Sequence, residues 1–106
     1  PASHEEDFNE VRRRVGELFD ESLGIITTRD TAVVNVIRRR CDKTKDMISD
    51  IYHKLYDQIR EGDSSAMTVL YVYLNMLQET QEIVSALRKF LRSFAKMCDK
   101  DYSGRR

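Results

Sequence analysis

The chain has almost nothing that breaks a helix. Among 106 residues there is one proline and there are four glycines, so long uninterrupted helices are expected. Net charge is also missing: 18 basic residues meet 18 acidic ones, which removes the broad positive field on which sequence-independent nucleic-acid binding depends. No nucleic-acid partner is expected. Cysteine is scarce, and Cys41 and Cys98 stand at no zinc-binding or redox spacing, which points to a reducing, cytoplasmic setting. Long hydrophobic runs are absent too. The longest, from Met67 to Leu77, is about half of the roughly 20 residues that cross a bilayer. No basic and apolar leader is visible, and Pro1 in place of an initiating Met suggests an excised piece of a longer chain.

What is present is a mixture of 41% hydrophobic and 34% charged residues, too apolar for a disordered chain and suited to one modest domain. Phe8, Val11, Val15, Leu18, Ser22 and Ile25 recur at alternating spacings of three and four, with Phe19 and Ile26 beside the stripe. That is an amphipathic first helix, starting from a Ser3 to Glu6 capping box, with a bend or early end conceivable at Gly24. After a polar break that Asp30 or Thr31 can cap, Val34, Ile37, Cys41, Thr44, Ile48, Ile51 and Leu55 mark a second helix, stopped at Gly62. Asp63 or Ser64 can cap a third, in which Met67, Leu70, Leu74, Leu77, Gln81, Val84, Leu87, Leu91, Phe94 and Cys98 recur. The expectation is an all-α, antiparallel up-down-up three-helix bundle, one domain over residues 1–106, with helices at 4–28, 31–61 and 64–99 and fraying after Asp99.

The chain carries no phosphate loop, no His-Glu-x-x-His and no nucleophile elbow, so no catalytic residue is assigned and no enzyme is expected. His4 and His53 read as surface histidines. Cys41 and Cys98 both fall on core stripes, and a turn near Gly62 and Asp63 puts them roughly 20 Å apart, too far for a disulfide. The same turn places Asp42 and Asp46 level with about Ile83 and Glu79.

Three surface features invite a functional reading. Asp42, Asp46 and Asp50 repeat every four residues along one strip, a repulsive arrangement that needs an offset. Neighbouring Arg39, Lys43, Lys45 and Lys54 are one source; a hard cation held by Asp42, Asp46, Glu79 and Glu82 is the other. The run from Val69 to Leu74 is apolar all round, so Tyr71, Val72, Tyr73 and Met76 are expected to meet a partner, and the isolated chain to associate as a homodimer. Basic clusters at Arg12 to Arg14, at Arg38 to Arg40 and around Arg88, Lys89, Arg92 and Lys96 read as solvated faces, or as local contacts with anionic lipid heads or acidic loops.

The run from Leu18 to Asp30, an apolar helix stopping at an Arg-Asp turn, resembles the end of the first helix of a PhoU repeat. Val36 to Asp46 resembles that repeat's acidic second helix, and Leu74 to Ile83 sits where its other acidic motif falls. The resemblance spans about Val11 to Met97. It implies a regulatory role at the cytoplasmic face of the membrane, with a membrane phosphate transporter, of the same polypeptide or separate, or a second PhoU-like bundle as partner. It implies a divalent or iron cation at Asp42 and Asp46; on the third helix the matching pair reads Gln78 and Glu82, an amide in place of one acid. The alternative is a helical scaffold or adaptor unrelated to phosphate, with a metal enzyme built on the acids as a third class.

Overall fold

The residues that three-four spacing picks out on the second helix are the ones the fold buries: Val34, Ile37, Cys41, Thr44, Ile48, Ile51 and Leu55. The structure, a computed structural model, describes residues 2–62 and 67–104, and side chains of 4–62 and 67–100. Three helices run through it, α1 at Ala2–Thr28, α2 at Val34–Arg60 and α3 at Met67–Gly104, with a short 3-10 turn at Thr31–Val33 before α2. No strand occurs among the described residues. Val11, Leu18 and Ile25 of α1 join the α2 set, Thr44 apart, and Leu70, Leu74, Leu77, Val84, Leu87, Leu91 and Phe94 of α3 in one core. Apolar burial at roughly 25 cal/mol per Å² is what holds these helices together.

The ends of the helices follow from local chemistry. α1 passes through Gly24 and stops at Arg29, which adopts a left-handed φ of 57° while its N–H donates to the carbonyl of Ile25 at 2.7 Å. Thr27 and Thr28 donate their hydroxyls to the carbonyls of Leu23 and Gly24, which keeps the last turn closed past the glycine. Asp30 then caps the 3-10 turn, accepting from the Ala32 N–H at 3.2 Å. Gly62 ends the second segment with φ 84°, a conformation that favours residues without a Cβ. The proposed caps at Ser3, Asp63 and Ser64 lie outside the described side chains. α3 continues to Gly104 instead of fraying at Asp99.

Side-chain contacts fix which levels meet. His4 bonds Gln58 at 3.1 Å, Asp7 pairs with Lys54 at 3.5 Å, and Glu21 pairs with Arg40, so the start of α1 lies beside the end of α2. Between α2 and α3, Tyr52 meets Gln78, the Lys45 carbonyl meets Gln81, and Asp42 meets Arg88. Asp42 therefore reaches Arg88, more than a full turn past Ile83. The product is a rod of 65 × 19 × 17 Å.

His4 is a correction to the surface reading. It is buried, bonded to Gln58 and stacked at an angle on Tyr73, because it lies seven residues before Val11 on the same stripe.

Candidate interaction surface

The acids of the strip are not drawn together. Asp42 is held by Arg88, its carboxylate 2.9 Å from Nε, so the neutralising cation comes from α3 and not from the neighbouring lysines of α2. Lys54, one of those lysines, is turned to Asp7 on α1. Asp46, Glu79 and Glu82 are exposed, and Glu82 lines a shallow trough with Lys45, Lys89, Gln78, Gln81 and Ser85. Among the described residues no three His, Cys, Asp or Glu side chains are grouped to hold a metal ion.

The basic clusters are partly consumed by local pairing. Arg13 bonds Glu17 at 2.6 Å and Arg14 bonds Glu10 at 2.9 Å. Hydrogen bonds from Arg13 and Arg14 pull the Glu10 carboxyl down to about 2. A depressed carboxyl favours the folded chain above its ordinary value of 4.5, and that contribution is lost as pH falls from there toward 2. Exposed pairs of this kind add little to stability.

Both cysteines are free. Cys41 has 0% exposure, and burial, helped by the adjacent Asp42, pushes its thiol above the ordinary 9.0; Cys98 is half-buried at the edge of the core. A neutral, enclosed thiol reacts poorly. Under native conditions a disulfide reagent is expected to modify Cys98 first, with Cys41 slower by about 100-fold or more because its reaction waits on opening of the rod. Equal rates at the two sites would mean that Cys41 is not enclosed. The raised thiol also sets a sign: its contribution is whole below 9.0 and declines as pH climbs past that value, where the unfolded thiol ionises first.

The informative surface is apolar. Tyr71, Val72 and Met76, taken from the sequence as partner contacts, are all about half exposed. Tyr73, the fourth, packs inward, its ring 4.6 Å from that of Phe8. It lies three residues after Leu70 and four before Leu77, on the core stripe. Sequence reasoning missed the larger feature. Phe19, Leu23 and Ile26 of α1 and Ile83, Ala86 and Phe90 of α3 form the walls of an open groove of about 410 Å³, with Ser22 and Leu87 on its floor. Ser22 stays satisfied by donating to the Leu18 carbonyl at 2.6 Å, so the floor presents no free polar group from it. The signal was available: Val69, Met76, Ile83, Phe90 and Met97 recur every seven residues, one strip over from the core.

Such a groove has no group to activate a substrate; what it offers is apolar area. No helix among the described residues is long and apolar enough to cross a membrane. Comparisons with protein-family models, with curated proteins and with solved structures return no match.

Proposed function

We propose that this chain is a non-catalytic regulatory domain of inorganic phosphate transport, resembling one PhoU repeat and acting through helix-helix contacts at the cytoplasmic face of the membrane. The observation that carries the interaction part is the unpartnered apolar strip of α3, from Val69 through Met76, Ile83 and Phe90, with the α1 groove beside it. Soluble single domains seldom leave so continuous an apolar surface without a use. The phosphate part is supported by the resemblance of Leu18 to Asp30 and Val36 to Asp46 to the repeat's helices. The level pairings of α2 with both neighbours support the antiparallel up-down-up order that a repeat of this kind has.

Regulation by such a domain is differential binding. The α3 face favours one conformation of a membrane phosphate transporter over another, and transport shifts by as much as the two affinities differ. The test is phosphate uptake by cells expressing the natural gene with Tyr71→Ser, Val72→Ser and Met76→Ser combined. These positions are exposed, so helix content and melting should change little. The dependence of uptake on external phosphate is expected to shift several-fold. Unchanged uptake with a correctly folded variant overturns the proposal, and leaves the scaffold unrelated to phosphate.

A further inference from the structure

We propose, resting on that reading of α3 as an interaction face, that the occupant of the groove is a second copy of this chain. Its α3 lies antiparallel against the first in a two-fold contact centred on Ala86. Three observations carry this. The first is the regularity of the strip. Val69, Met76, Ile83, Phe90 and Met97 are between 45% and 49% exposed, all at one heptad position. A strict seven-residue repeat keeps a seam facing one partner helix along its length. From Met76 to Met97 the seam runs roughly 30 Å at 1.5 Å per residue.

The second is that the seam reads alike from both ends. Turned end for end near Ala86, it sets Ile83 against Phe90 of the second copy and Met76 against Met97. Ala86 is the smallest side chain in the strip and lies where two helices would cross most closely. A two-fold contact demands this self-complementarity, each patch meeting itself in reverse.

The third is charge. The acids bordering the strip, Glu79 and Glu82, precede Ala86, and the bases Lys89 and Lys96 follow it. Glu79, Glu82, Lys89 and Lys96 make no ion pair with any described residue. Reversal brings Glu82 to within two residues, about 3 Å at helical rise, of the level of Lys89 of the second copy, on the same side of the seam, twice over. A parallel pairing would instead oppose Glu82 to Glu82 and Lys89 to Lys89, which is repulsive, so the charges choose the direction. The layout agrees with the anatomy of an interface. Ala86 lines both the apolar groove and the polar trough that holds Glu82 and Lys89, so an apolar centre passes directly into a charged rim.

Sedimentation equilibrium and native mass spectrometry of the chain at high micromolar concentration are expected to show a dimer. Glu82→Lys alone and Lys89→Glu alone should each weaken it about tenfold or more, because attraction becomes repulsion at both symmetry-related sites. An equimolar mixture of the two variants should recover association as a heterodimer, since each copy then offers the charge that the other lacks. Ala86→Arg, at an exposed position, should keep its helix content and yield a monomer. A native chain that stays monomeric, a mixture no tighter than its components, or a dimeric Ala86→Arg overturns the proposal. If the chain is monomeric and uptake still responds to the α3 triple variant, the second copy fails alone. If the dimer behaves as stated and uptake never responds, the link to transport fails alone.

Discussion

Leu91→Ala is expected to lower the unfolding free energy by about 3 kcal/mol. Leu91 has 0% exposure, sits two turns above Val84 on the α3 core stripe, and belongs to the cluster that joins all three helices. Truncation removes three buried carbon atoms and leaves a cavity that stiff neighbouring helices cannot collapse to fill. A chain of this length has a total stability on the order of 5–15 kcal/mol, so the loss is a large share of it. Thermal unfolding followed by circular dichroism should show a midpoint lower by on the order of 15 °C. A loss below about 1 kcal/mol would show that Leu91 is not at the centre of the packing.

A second substitution pair separates folding from association on a single helix. Phe90 and Phe94 are four residues apart, with ring centroids 6.2 Å from each other, yet Phe94 is 7% exposed and Phe90 47%. Phe94→Ala should destabilise the folded chain by about 3 kcal/mol, because the ring lies in the core. Phe90→Ala should cost the lone chain about 0.5 kcal/mol or less, as is usual for exposed sites. Its effect should fall on association, where an aromatic ring at the middle of the groove is the kind of anchor whose loss weakens binding most. Melting of dilute protein and sedimentation of concentrated protein read the two effects independently. Similar melting losses for both variants would place Phe90 in the core and remove the groove.

Most of the core was readable from spacing alone, because helix burial depends on a periodicity that the chain itself carries. The α2 stripe from Val34 to Leu55 is the direct case. Boundaries were less legible, since they turn on single residues. Gly24 looked like the weak point of α1, but three side-chain and backbone bonds carry the helix to Arg29, which accepts the left-handed conformation usually left to glycine. The surface was the hardest part. Exposure depends on how three helices are rotated and spaced, and the seven-residue recurrence from Val69 to Met97 marks the strip without fixing its exposure. An all-round apolar run drew attention to Tyr71 and Tyr73, of which only Tyr71 is about half exposed, while Tyr73 is spent on Phe8. Phe90 and Ile83 each sit beside a core residue and read in the sequence as part of the same face. The counter-ion of Asp42 was not legible in its own neighbourhood, because Arg88 comes from a different helix.

The slenderness of the rod has a consequence of its own. With 65 Å of length and under 20 Å of girth, the interior is a single file of side-chain layers, each sealed laterally by at most three backbones and axially by the layers next to it. Disruption therefore has a direction. Amides near Ile48, Val84 and Leu91, enclosed midway, should exchange with solvent slowly, and those toward either tip progressively faster, as though the structure unzipped inward from its extremities.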